Sequence, residues 1–415
     1  LLDRSTSSDA TVRERCSEII ARVRRGGDAA LQALALELDG VALDTLEVPR
    51  ERWTSALDAL APALRHAMER SVGNIRRVHG AFLPVAQEIE SECGVVVGRR
   101  PDPLGRVGVY APGGRAAYPS SVLMGVVPAR VAGVGEVVVC SPPERATGRP
   151  SSVVLAAAAL AGADRVFSLG GAGAIAALAY GTESVPRVDR IVGPGNAYVA
   201  EAKLQVASTV AIDSPAGPSE LLVIADESAD PLLVAREMLA QAEHDPLAAV
   251  VAVTTSEESA NAVLRAIDDL LPRHPRAGIA GAALQGQGAV LWAASLDAAV
   301  AFSNSYAPEH LLLVVSTADD VLAEVRNAGT VFVGAYASVA FGDYMTGANH
   351  VLPTGGLARS YSGLSTLDFV RWTTYQRVTR DAAARLAEDV GTFADAERLG
   401  GHALAARAWR DEARE

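Results

Sequence analysis

Between residues 106 and 333 the sequence alternates short β-branched runs with longer apolar-periodic ones, and it completes that alternation twice. The first series reads as strands over 106–110, 136–140, 165–169, 189–192 and 209–212, with helices over 121–131, 151–161, 172–180 and 197–208 between them. The second reads as strands over 221–225, 249–254, 289–292, 311–315 and 330–333, separated by helices over 231–242, 256–271, 296–303 and 318–327. Strands that alternate with helices predict parallel sheets, because neighbouring parallel strands need a crossover. Ser214-Pro215-Ala216-Gly217-Pro218-Ser219 joins the two series. The expectation is an α/β chain of two related open domains with a cleft between them, and a site beyond the carboxyl ends of the strands.

The flanks read differently. Residues 9–38 and 50–79 carry helical apolar stripes, the first broken at Gly26-Gly27-Asp28. After Thr366 the strand signal fades, and 381–390 and 394–409 read as helices. That tail is short for a core of its own and is expected to pack on another domain or subunit. A chain of 415 residues exceeds one ordinary core, which agrees with two or three domains. The formal charge of −12 disfavours nucleic acid and anionic membrane as partners. Cys16, Cys93 and Cys140 are scattered, with no CxxC pair, and suit reduced thiols in a cytoplasm. The apolar run 153–161 is too short and alanine-rich to span a bilayer, and the first six residues lack a signal pattern. The chain opens on Leu1 rather than Met, which leaves room for residues upstream.

Four stretches carry more polar chemistry than their context requires. Gln241 and His244 end an apolar-periodic helix and, three apart, share one face. They read either as half a metal site or as a solvated helix end whose histidine complements the dipole. Glu309-His310 stands directly before a buried-looking strand, as two bases of different strength or as an edge-strand charge pair. Asp343 lies between Gly342 and Gly347 in a polar loop that continues to Asn349-His350. Glu397 and His402 sit in the C-terminal helical region and by themselves read as solvated charges. Together Gln241, His244, Asp343 and His402 would make a thiolate-free site suited to zinc or manganese as a Lewis acid.

For a cofactor, Gly171, Gly173 and Ala176 fall at G-x-G-x-x-A spacing after a strand and at the start of a helix. No acidic residue follows at the usual distance, since Asp189 precedes its strand. Tyr110-Ala111-Pro112-Gly113-Gly114 and Gly193-Pro194-Gly195-Asn196 are glycine-rich strand ends that would let a ligand approach the backbone, or simple tight turns.

Nine segments closely resemble histidinol dehydrogenase, in that family's order and spacing over nearly the whole chain. They are VYAPGG (109–114), YPSSVLM (118–124), AGADRVFSLGGAGAIAALAYGT (161–182), VGPGNAYVAEAK (192–203), AGPSE (216–220), QAEHD (241–245), YAPEHL (306–311), GDYMTGANHVLPT (342–354) and SGLS (362–365). The resemblance implies oxidation of L-histidinol to L-histidine by way of the aldehyde, with two NAD+ and a bound zinc. It puts zinc ligands at Gln241, His244, Asp343 and His402, the last donated across a homodimer, and general bases at Glu309 and His310. Substrate contacts fall on Ser219, Gln241, His244, His310, Asp343, His350, Glu397 and His402, and NAD contacts on Tyr110, residue 173 and Asn196.

The fold it implies is two incomplete Rossmann-like domains with helical terminal segments that interlock the dimer. One domain is 1–109 with 220–365, the second 110–219, and a helical tail over 366–415 packs on the partner subunit. One position departs from the pattern. The family motif usually reads GGAQAIAALA, and Gly173 stands in the glutamine's place, which removes an amide near NAD. The alternatives are a zinc and NAD enzyme acting on another small amino alcohol or diol, and a non-catalytic zinc- or nucleotide-binding scaffold. Glu397 with His402 disfavours the first, and the adjacent bases disfavour the second.

Overall fold

The computed structural model describes Leu2, Arg4, residues 10–113 and residues 117–412. Two compact units divide the chain, Leu1–Phe82 with Leu104–Phe369 and Leu83–Pro103 with Val370–Glu415. Among the described residues no helix is long and apolar enough to cross a membrane. In chain order the first strands are β1 (Gln87–Glu92), β2 (Val95–Pro103), β3 (Arg106–Tyr110), β4 (Glu136–Ser141), β5 (Arg165–Ser168), β6 (Arg190–Val192) and β7 (Ala211–Ile212). There follow β8 (Glu220–Ala225), β9 (Ala249–Thr254), β10 (Gly288–Trp292), β11 (His310–Val314), β12 (Thr330–Val333) and β13 (Val370–Val378).

The larger unit holds two five-stranded parallel sheets, ordered β5-β4-β3-β6-β7 and β10-β9-β8-β11-β12. Both run third, second, first, fourth, fifth, the doubly wound order in which the strand sequence reverses beside the first strand. The expected α/β class and Rossmann-like sheets are therefore present. Central strands such as β8 and β9 are buried on both faces, and so read as unbroken apolar runs. Their two faces still segregate. Leu221, Val223, Val250 and Leu312 enter one core, whereas Leu222, Ile224, Val251 and Leu313 enter the other.

The helix Ala10–Leu34 breaks at Gly27, whose φ of 50° lies in the left-handed region. Its Cys16, Ile19, Leu31 and Leu34 share a core with Phe167 and Ile175 of the first sheet's layer. The sequence reading groups residues 1–109 with 220–365, but this helix packs with the 106–212 elements.

The smaller unit is an antiparallel sheet, β1-β2-β13, with the helices Arg380–Ala396 and Gly400–Glu412. Strand β13 was not expected from the sequence, and the helix Ala277–Gln287 of the larger unit was also missed. Most of β13 and all of β1 are exposed or half-buried, so neither carries an apolar stripe. The missed helix is alanine- and glycine-rich and lacks apolar periodicity.

Candidate active site

Glu309 and His310 lie where β11 begins, after a turn in which Ala307 takes a left-handed φ of 52°. β11 runs between β8 and β12, and both side chains are buried, which removes the edge-strand reading. Glu309 Oε2 accepts a hydrogen bond of 2.7 Å from the Glu220 N–H. His310 Nδ1 lies 2.9 Å from the Glu220 carbonyl oxygen. A carbonyl only accepts, so Nδ1 carries the proton there and Nε2 is left as the basic nitrogen. Nε2 is 3.9 Å from Asp343 Oδ1. Burial disfavours the charged His310 ring, but Glu309 at 3.4 Å and Asp343 outweigh it and carry the pKa up to about 9.

Ser219 precedes β8 at this same rim, and its carbonyl accepts from Ala249 N–H at 2.9 Å. The pair thus sits at the amino ends of β8 and β11, not at the carboxyl ends that the sequence reading expected for the whole chain. The rule of the carboxyl rim holds for the first sheet alone.

Gln241 occupies the last turn of the helix Pro231–Ala242, and His244 falls two residues beyond its end. The shared-helix-face argument therefore gives way to a turn in which His244 N–H donates to the Gln241 carbonyl at 3.3 Å. Gln241 is 3% exposed and makes no side-chain hydrogen bond among the described residues, so its amide is left for water or a ligand. Asp343 lies in a short helix, Val339–Tyr344, rather than in a loop. Glu237, one turn before Gln241, accepts from the Val339 N–H at 3.1 Å and so ties the Gln241 helix to the Asp343 helix. His350 Nδ1 lies 3.1 Å from the Asp343 carbonyl, and burial holds its pKa below the ordinary value.

The Gln241 amide and the Asp343 carboxylate each make no side-chain hydrogen bond among the described residues, so their oxygens remain available to a cation. Among the described residues no three His, Cys, Asp or Glu side chains close into a metal site. Glu397 and His402 belong to the smaller unit, where both are exposed.

At the carboxyl rim of the first sheet lies a cavity of about 840 Å3, lined by Tyr110, Ser141, Gly170, Gly171 and Asn196 among others. That volume suits a dinucleotide-sized ligand. The helix Gly171–Tyr180 opens on it, and Gly171 N–H donates to the Tyr110 hydroxyl at 3.1 Å. Burial pushes the Tyr110 phenol up to about 12. Asn196 caps the next helix by accepting from Tyr198 and Val199 N–H groups, so it can offer a ligand its amide donors. Gly193 is held at φ 115°, where a Cβ would come within 2.1 Å of the Tyr110 carbonyl oxygen. Behind this turn Asp213 accepts from Gly193 N–H at 2.7 Å and forms a buried ion pair with Lys203, which donates to Gly193 O.

Gly173 is not among the lining residues. A Cβ there would face Leu31 and Leu34, each at 3.6 Å. Gly114 lies outside the described residues. Sequence reasoning missed the wall that Arg15, Ile19, Leu38 and Asp39 contribute from the N-terminal segment. It also missed Glu220, whose only signal was an acidic residue heading an apolar strand.

The sequence profile of histidinol dehydrogenase matches residues 2–410. The histidinol dehydrogenase of Methanosarcina barkeri (strain Fusaro / DSM 804) is 47% identical over 392 residues, covering 94% of this chain and 90% of that protein. That of Halobacterium salinarum (strain ATCC 700922 / JCM 11081 / NRC-1) is 50% identical over 404 residues, 97% of this chain and 94% of that protein. The crystal structure of histidinol dehydrogenase from Elizabethkingia anophelis matches with a TM-score of 0.96 at 34% identity, covering 100% of this chain and 96% of that one.

Proposed function

Because the chain belongs to the histidinol dehydrogenase family, an oxidoreductase family, we propose that it oxidises L-histidinol to L-histidine through L-histidinal, with two NAD+ as acceptors. This places it at the last step of histidine synthesis. Gln241, His244 and Asp343 would hold zinc, with His402 supplied by the other subunit of a homodimer. Bound there, the zinc supplies a Lewis-acidic anchor for the substrate's imidazole and amino nitrogens.

His310 takes the alcohol proton on Nε2 as hydride leaves the carbon. Glu309 then deprotonates water for attack on the aldehyde, and His310 acts again on the hydrate. Glu309 Oε1 accepts no hydrogen bond among the described residues, which suits it to water. Ser219, His350 and Glu397 contact the substrate. Tyr110 and Asn196, which line the cavity, contact NAD there. The observation that carries the reading is the fixing of both bases on one residue, with His310 Nε2 turned toward Asp343 at 3.9 Å. Three free cysteines support a cytoplasmic setting.

The test is NADH formation by the zinc-loaded protein with L-histidinol, other amino alcohols and diols. Two NADH per L-histidinol is the expected yield. Preference for a different alcohol would reassign the substrate, and no reduction with any would leave a binding scaffold. His310→Ala is expected to abolish turnover with zinc still bound.

A further inference from the structure

We infer that the Glu220 side chain is the positioning group for Glu309, with Arg4 as its counter-charge, an inference that rests on the role just proposed for Glu309. Glu220 heads the strand Glu-Leu-Leu-Val-Ile-Ala and is 3% exposed. A buried carboxylate is costly and persists only where partners hold it. Here they surround it. Oε1 accepts from Gly355 N–H at 2.8 Å, and Oε2 accepts from Glu309 N–H at 3.3 Å. The exchange is reciprocal, since the Glu220 N–H holds Glu309 Oε2, and the Glu220 carbonyl holds His310 Nδ1.

The geometry follows from register. His310 pairs with Leu221 in the parallel ladder, so Glu309 and Glu220 stand side by side just where strand pairing begins. The Glu309 N–H at that rim is met by the Glu220 side chain.

Arg4 balances the Glu220 carboxylate. Its guanidinium lies 2.5 Å from Glu220 Oε2, with both side chains 4% exposed. It also stacks 3.3 Å from the Tyr306 ring centroid and donates to the Tyr306 carbonyl, at the start of the turn that leads to Glu309. The arginine thus neutralises the positioning carboxylate and pins the base-bearing turn.

The experiment compares Glu220→Gln, Glu220→Ala, Arg4→Met with Glu220→Gln together, and Glu309→Gln, each in zinc-loaded protein. L-histidinol and L-histidinal oxidation are followed separately, alongside melting temperature and zinc content. Both single Glu220 variants are expected to lose at least about tenfold in kcat on L-histidinal, with KM and zinc content unchanged. The double variant removes the unpaired arginine and is expected to regain melting temperature while kcat stays low. A kcat that recovers with melting temperature, or a Glu220→Gln rate equal to wild type while Glu309→Gln is slow, would overturn the positioning role. A fast Glu309→Gln would overturn the base assignment beneath it, and this inference with it.

Discussion

Glu237→Ala removes a side-chain hydrogen bond that ties the Gln241 helix to the Asp343 helix. Glu237 and Gln241 are four residues apart and share a face, so the carboxylate sits one turn behind the amide. The Val339 N–H it accepts from is the first of the helix Val339–Tyr344, four residues before Asp343. A buried hydrogen bond to a charged acceptor contributes about 1.5–3 kcal/mol. If that energy helps to hold the two proposed zinc ligands in place, its loss falls on metal binding at about 1.4 kcal/mol per decade. The expectation is zinc affinity weakened about 10- to 100-fold, in line with other partners that orient metal ligands. Glu237→Gln keeps the shape and one acceptor oxygen, so it is expected to lose only about a few-fold in affinity. Competition with a chromogenic zinc chelator gives the dissociation constant, and melting of the metal-free protein reports any loss of fold separately. Wild-type zinc affinity in a well-folded Glu237→Ala protein would refute the reasoning.

Restoring the family's glutamine by Gly173→Gln is expected to destabilise the protein by about 1–3 kcal/mol, because its Cβ would already touch Leu31 and Leu34 and the atoms beyond it press into that core. Tighter NAD binding with unchanged melting would contradict that. Lys203→Met leaves Asp213 buried without its cation, and about 3–5 kcal/mol of stability should disappear in urea unfolding. A loss below about 1 kcal/mol would mean that solvent rescues the carboxylate. In metal-free protein, burial lowers the His310 pKa, but Glu309 and Asp343 lift it from 6.5 to about 9 in the fold. The folded state then holds this proton more tightly than the unfolded one. Its stabilisation is complete below pH 6.5 and fades as pH rises through about 9. Melting curves should show wild type losing more stability than His310→Asn from pH 7 upward, and parallel curves would count against it.

The parallel sheets were legible because central strands are apolar on both faces and their helices keep a different period. The outer antiparallel strands β1 and β13 were not, since exposed strands have no buried face to mark them. Glu309 and His310 stood out as an acid and a base beside an apolar run, and the motifs named the remaining site residues. What stayed hidden was the company these residues keep. Nothing local to Asp39 or Arg15 announces a cavity formed with Tyr110, and nothing local to Arg4 announces a partner 216 positions onward at Glu220. Such pairings arise from topology, which brings distant rims together. Gly173 shows the converse. Its motif spacing suggested a ligand, whereas its Cα faces the N-terminal helix.

The use of opposite rims by two sheets of one topology has an electrical meaning. Along a parallel sheet the crossover helices point their amino termini at the carboxyl rim and their carboxyl termini at the amino rim. The first sheet therefore presents the positive end of the Gly171–Tyr180 helix to its cavity, a setting for phosphate. The second presents the negative end of the Pro231–Ala242 helix, with Gln241 in its final turn, a setting for a cation. One plan, used from its two poles, can attract an anionic cofactor in one lobe and a metal in the other without changing strand order.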